Sequence, residues 1–360
     1  AQNLAARPVV ALAIEARIRL GAIHPVDGGV VEQLAIAQRQ MDEKVDKNDN
    51  STIAKELAGV LVRNIEYDNI KEKEIDLIIS GGAFNVSYLI GCLYFIDEMR
   101  EKGLIRINKI STCSASSMLG LLYLINKVDI FVDKLYELSV TSFKKNKCVI
   151  FDEESLAVIM NIIKNEIPDD ILVHVNGRLY ITYYDVKECK QIVKSNYKNV
   201  TDILNTIKRS CFIPYITMNK FMEDDNYIDG GTPFIFDKVF GKNRLYINLC
   251  GMDKVIDSIV IKNDKVVTHR ILGGVLDIHN FFFRCKKTSM CSYVEDWGLI
   301  GMLSFKAIEI RIYSICIFMY IITRVKCNIL DKYYKDNKFI NLIYDMMRKM
   351  LSKTIEKYCV

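Results

Sequence analysis

The chain has 360 residues, 50% of them hydrophobic, and a formal net charge of +5. That is enough for one large domain or two ordinary ones around a sizeable core, and the mild charge implies no nucleic-acid partner. Eleven scattered cysteines without a C-x-x-C pair, and four histidines without ligand spacing, argue for free thiols in a reducing compartment and against a disulfide framework or a zinc site.

Residues 1–43 contain no lysine and are rich in alanine and valine, unlike the Lys-, Asn-, Ile- and Tyr-rich body. Val10, Ala13, Ile14, Ile18 and Leu20 recur at roughly helical spacing, so 1–41 reads as an appended arm. The sequence opens on Ala1 rather than Met, as expected of a processed or truncated chain. The polar run DEKVDKNDNS, 42–51, is a linker, and Ser51 is placed to cap a helix from Thr52 to Arg63; linker and leading helix together occupy 42–72. IDLIIS, 75–80, reads as a buried strand, and SYLIGCLYFIDEM, 87–99, as a helix. RINKIS, 106–111, and SSMLGLLYLIN, 116–126, repeat that order. Two strand–turn–helix units in about 50 residues predict a parallel α/β sheet.

Helical patterns follow near 128–144 and 153–166. ILVHVNGRLYITYYD, 171–185, predicts a hairpin around Asn176-Gly177, a dipeptide suited to a type I′ turn. VTDILNTIKRS, 200–210, is helical; RLYINL, 244–249, and SIVIKNDKVVTHRI, 258–271, look extended. From about 294 onward the pattern is helical. No segment reaches the roughly 18 apolar residues of a membrane span. The nearest, Ile312–Thr323 between Arg311 and Arg324, reads as a buried helix, with an interfacial segment as the alternative. Phe339, Ile343, Met346 and Met350 read as a core stripe, with a lipid-binding face as the alternative, and Arg324–Val360 carries the whole charge excess: a solvated face, or a weak attraction to anionic lipid or acidic partners.

Three turns carry chemistry. In SGGAFN, 80–85, adjacent glycines between strand and helix leave amides free for an anion, either a phosphate or an acyl-transfer oxyanion; the alternative is a tight turn that needs glycine. No Gly-Lys-Ser/Thr follows, which excludes a P-loop. In Thr112-Cys113-Ser114-Ala115-Ser116, small residues between strand and helix suit a nucleophile elbow; alternatively Ser114 is an N-cap. In YIDGGTPF, 227–234, Asp229 sits before two glycines that can approach another backbone closely, or forms a plain turn. A serine nucleophile needs a base, and an aspartate beside it could serve directly.

In order and spacing these pieces resemble the patatin-like phospholipase family from about Ile75 to Pro233, and up to about residue 300. The family's Gly-Gly-Gly-x-Arg/Lys-Gly motif falls on Gly81-Gly82-Ala83-Phe84-Asn85-Val86, and Tyr88 and Gly91 also fit its pattern. The Gly-x-Ser-x-Gly elbow falls on Thr112 to Ser116. KRSCFIPYI, 208–216, is similar to its Ala-Ser-x-x-x-Pro segment, and Asp229-Gly230-Gly231 to its aspartate motif. The departures are Ala83, Asn85, Val86, Thr112 and Ser116, with Val86 and Thr112 expected to crowd their turns.

The resemblance implies a three-layer α/β fold with a mainly parallel sheet, a catalytic domain over 73–300 and a helical C-terminal region over 301–360. It implies a lipid acyl hydrolase of phospholipase A type, with Ser114 and Asp229 as catalytic dyad and Gly81, Gly82 and Ala83 forming the oxyanion hole. It implies no cofactor, an acyl-lipid substrate at a membrane surface, in some relatives an activating protein partner, and a cytoplasmic, peripherally membrane-associated location. The alternatives are a silent fold acting as a lipid-binding or protein-interaction module, and a phosphate-binding α/β protein that uses Gly81-Gly82 without needing Asp229.

Overall fold

The computed structural model describes residues 50–63, 73–146, 153–213, 226–251 and 267–310, with single or paired positions at 70, 217, 223–224, 254, 258, 260–261, 314 and 353. The arm over 1–41, the 312–323 segment, the 339–350 stripe and Pro214 lie outside the described residues.

The chain runs α1 (Asn50–Arg63), β1 (Glu74–Ile79), a 3₁₀ turn (Ala83–Asn85), α2 (Val86–Glu101), β2 (Arg106–Cys113) and α3 (Ser116–Leu124). A π-helical turn (Phe131–Leu135) leads into α4 (Tyr136–Asn146), then α5 (Glu153–Glu166), α6 (Ile171–Val175), β3 (Leu179–Asp185), β4 (Lys190–Lys194) and α7 (Val200–Ser210). β5 (Tyr227–Asp229), β6 (Lys242–Ile247), α8 (Thr268–Arg284) and β7 (Cys291–Tyr293) complete the sheet and its cover, and α9 spans 299–310. Among the described residues no helix is long and apolar enough to cross a membrane.

The sheet order is β4-β3-β2-β1-β6-β7, with β5 also paired to β3. The four central strands β3, β2, β1 and β6 are parallel, while β4, β5 and β7 are antiparallel to their neighbours. A parallel sheet is covered on both faces, which is why β1 is buried at every position after Glu74. Side chains alternate between faces. Ile75, Leu77 and Ile79 enter the main core with α1, α2, α3 and α8, while Ile78 and Tyr246 face Phe234, Phe236, Trp297 and Phe305 on the other side. The molecule is a three-layer α/β fold with a mostly parallel central sheet. Helices α2 and α8 cross nearly backbone to backbone, because a Cβ on Gly91 would lie 1.9 Å from the Ile271 carbonyl and one on Gly274 1.9 Å from the Tyr88 carbonyl.

Two sequence expectations are corrected. The 171–185 hairpin does not form: a type I′ turn needs positive φ at both central residues, but Asn176 has φ −64° and only Gly177 is left-handed at φ +70°. Ile171 and Val175, one helical turn apart, bury their side chains as α6, and β3 pairs with β4 instead. The extended reading of 258–271 fails from Thr268 onward, where α8 begins. Ile271, Val275, Ile278 and Phe282 repeat at helical spacing and are buried, a signal the β-branched stretch before them obscured. The helical reading near 128–144 is met in part by the π-helical turn that precedes α4.

Candidate active site

Register brings the carboxyl ends of four strands to one rim. Ile79 pairs with Thr112 and with Ile247, and Cys113 pairs with Thr182. Ser80 therefore leaves the sheet beside Cys113 and Asn248, and Gly81 beside Ser114. On β3, the edge that β2 occupies through Thr182 passes to β5, where Tyr183 pairs with Asp229. Asp229 lies just beyond the end of β2, where Ser114 emerges. The order β2-then-β5 along one edge brings together two residues 115 positions apart in sequence.

Ser114 adopts φ +57°, the left-handed region, at the apex of the strand-to-helix turn. A non-glycine residue pays about 1–2 kcal/mol for that conformation, so the surrounding structure must enforce it. The enforcing bonds are local: Ser117 Oγ and Ser117 N–H both donate to the Ser114 carbonyl (2.6 and 2.9 Å), and Ser116 Oγ donates to the Cys113 carbonyl (2.6 Å). The capping alternative is not what Ser114 does, since the helix cap is Ala115 and no side-chain cap bond forms. Thr112, expected to crowd the elbow, has room: its methyl faces Gly120 on α3, where an added Cβ would lie only 2.8 Å away. The volume of the missing elbow glycine is exchanged for a glycine eight residues on.

The Gly81–Ala83 turn is equally constrained. Gly81 packs against Ser114, since a Cβ on Gly81 would lie 2.8 Å from the Ser114 Cβ. A Cβ on Gly82 would meet that of Leu249 at 2.6 Å. Gly81 N–H points to the Cys113 sulfur (3.0 Å), and the Cys250 thiol donates to the Gly81 carbonyl (3.0 Å). Ala83, in place of the third glycine, takes φ +44°. The amides of Gly82, Ala83 and Ala115 have no hydrogen-bond partner among the described residues. Asn85, in place of the basic residue, is fully buried; its Nδ2 donates to the Leu249 and Lys254 carbonyls (both 2.8 Å). Its Oδ1 accepts from Arg270 of α8 (3.1 Å), so a guanidinium reaches this turn from another helix.

Asp229 is held through its N–H to the Phe212 carbonyl (2.7 Å), and its Oδ1 accepts from Gly231 N–H (2.7 Å). Gly230 lies against β3, where a Cβ would come within 2.5 Å of the Thr182 carbonyl. The other carboxylate oxygen, Oδ2, is shut off from solvent with no partner in hydrogen-bond geometry. Burial raises the Asp229 pKa to about 6, while the adjacent Ser114 hydroxyl and the Gly231 amide pull it back. Serine and aspartate are thus neighbours with no aligned hydrogen bond between them. Burial also pushes the Cys211 and Cys250 thiols up to about 12 and about 11, so both are neutral at pH 7 and neither competes as a nucleophile.

Beside Ser114 lies an apolar cavity of about 50 Å³ lined by Ala83, Phe84, Val86, Met118, Phe131 and Tyr136 among others. Val86, expected to crowd the turn, is a wall of this cavity. Every predicted site residue, Ser114, Asp229, Gly81, Gly82 and Ala83, therefore belongs to one neighbourhood at the rim. Thr182 and Ser210, buried polar residues bonded to this neighbourhood, carried no signal of their own beyond Ser210's place in KRSCFIPYI. No protein-family model matches the chain, and a search of curated proteins found no match.

Proposed function

We propose that this chain is a serine acyl hydrolase of patatin-like, phospholipase A type, acting on lipid esters at a membrane surface through the Ser114–Asp229 dyad. One observation carries the reading. Ser114 sits in a left-handed elbow at the end of a parallel strand, beside a carboxylate with one desolvated, unpartnered oxygen and a pKa near neutrality. A base is most useful when its pKa lies near the working pH. Asp229 Oδ2 accepts the Ser114 proton as the serine oxygen attacks the ester carbonyl. The N–H groups of Gly82 and Ala83, with Gly81 shaping the turn, receive the oxyanion, and each donor of this kind is worth about 3–4 kcal/mol. Collapse returns the proton to the leaving alcohol, and water, deprotonated by Asp229, releases the acyl group. The apolar wall favours an acyl chain over a polar group. A cavity of ~150 Å³ holds benzene, so about 50 Å³ takes roughly two carbons and the remaining chain lies outside.

A second reading, a silent fold that binds lipid or a protein partner, draws on the unaligned dyad and on the left-handed alanine in the oxyanion turn. The deciding experiment is acyl release from mixed phospholipid vesicles by the intact chain and by Ser114→Ala. The hydrolase reading expects release that depends on Ser114. Equal release, with vesicle binding retained by both, leaves only the binding module.

A further inference from the structure

We propose that Ser210 and Thr182 are positioning residues that form a shared strut under both members of the dyad, an inference that rests on the hydrolase reading. Ser114 N–H donates to Ser210 Oγ (2.9 Å), and Ser210 Oγ–H donates to the Thr182 carbonyl (2.7 Å). One hydroxyl, with its single donor and free lone pair, is used both ways. Ser210 and Thr182 are fully buried, so neither bond is contested by water. The strut ties the backbone of the strained elbow to the middle of β3.

Thr182 supports the aspartate side as well. Its carbonyl is the surface on which Gly230 rests, and its hydroxyl donates to the Thr232 carbonyl (2.7 Å) just after Asp229-Gly230-Gly231. Gln191 of β4 reinforces that loop from the far side, donating to the Gly230 and Thr232 carbonyls (3.1 and 2.8 Å). One residue of a central strand therefore holds Ser114 through Ser210 and Asp229 through its glycine loop. Displacement of a reacting group by an ångström costs on the order of 100-fold in rate. A device that fixes two groups relative to one strand removes that freedom without touching the substrate.

The test is hydrolysis of p-nitrophenyl butyrate by the full chain, with Ser210→Ala, Thr182→Val and Thr182→Ser beside Ser114→Ala. Both hydroxyl deletions are expected to lower kcat by about 10- to 100-fold with KM within about twofold, and Thr182→Ser recovers most of the loss. The acid limb of kcat/KM gives a readout that simple destabilisation does not move. Its midpoint rises above about 6 in Ser210→Ala, because a displaced Ser114 no longer favours the charged form of Asp229. Among the described residues, the other titratable groups that interact with Asp229 are the Cys113, Cys211 and Cys250 thiols, all pushed upward by burial and silent in that range. Ser114-dependent hydrolysis with unchanged kcat in Ser210→Ala and Thr182→Val overturns the strut and leaves the hydrolase reading intact. So does a Thr182→Ser variant as slow as Thr182→Val. Hydrolysis that is the same with and without the Ser114 hydroxyl overturns both.

Discussion

Replacing Ala83 with glycine should stabilise the protein, the reverse of what that exchange normally does. Ala83 is held at φ +44° in the turn after β1. An L-residue with a Cβ pays about 1–2 kcal/mol there, and glycine pays almost none. Against this, glycine gives the unfolded chain more freedom, worth about 0.4–1 kcal/mol. The net gain is about 0.5–1 kcal/mol, which for a domain of this size raises Tm by roughly 1–2 °C. The companion variant is Ala157→Gly, on an exposed position of α5. There the helix is regular and the exchange costs about 1 kcal/mol, so Tm falls by a similar amount. Thermal unfolding followed by circular dichroism at pH 7 compares the two. If both variants melt below the parent by like amounts, Ala83 is not in a left-handed conformation, and the strained turn is wrong.

Asp229→Asn should abolish the proposed ester hydrolysis yet stabilise the fold at neutral pH. The folded pKa of about 6 lies above the ordinary aspartate value of 3.8, and at 1.36 kcal/mol per unit ionisation costs the folded state up to about 3 kcal/mol. A raised carboxyl pKa favours folding below the unfolded pKa and loses that contribution as pH rises through the folded one. The Asn variant's advantage is therefore largest above pH ~6 and vanishes below about 4 in melts across pH. Gly120→Ala, which in an ordinary helix gains about 1 kcal/mol, should instead cost about 1–3 kcal/mol, because its Cβ meets the Thr112 methyl at 2.8 Å. Thr112→Ser removes that methyl, so urea midpoints of the double mutant should show strong non-additivity; additive losses would separate the two positions.

The local elements were legible before any coordinates. The α5 and α7 spans match their expected ranges to the residue, and both strand–turn–helix units lie within a few residues of their predicted places. Each is governed by neighbours three or four positions away, or by alternation along one strand. The errors have a common cause. At 171–175 an apolar run fits strand or helix equally, and the choice of α6 follows from burying Ile171 and Val175 against the core. At 268–284 the helical spacing was present, but its meaning depends on a backbone-close crossing with α2.

For the candidate site the division is sharper. Residue types and order alone singled out Ser114, Asp229 and the Gly81–Ala83 turn, because elbows and oxyanion turns are local shapes that only small residues permit. Whether they share a site was decided by β3, which lends one edge first to β2 and then to β5. The departures from the glycine motifs were likewise settled at a distance: Gly120 makes room for Thr112, and Arg270 reaches Asn85 from α8. A sequence determines the backbone shapes each short stretch can adopt. Which stretches meet depends on strand register and helix crossing, set by packing the whole core at once, and no single window of residues encodes them.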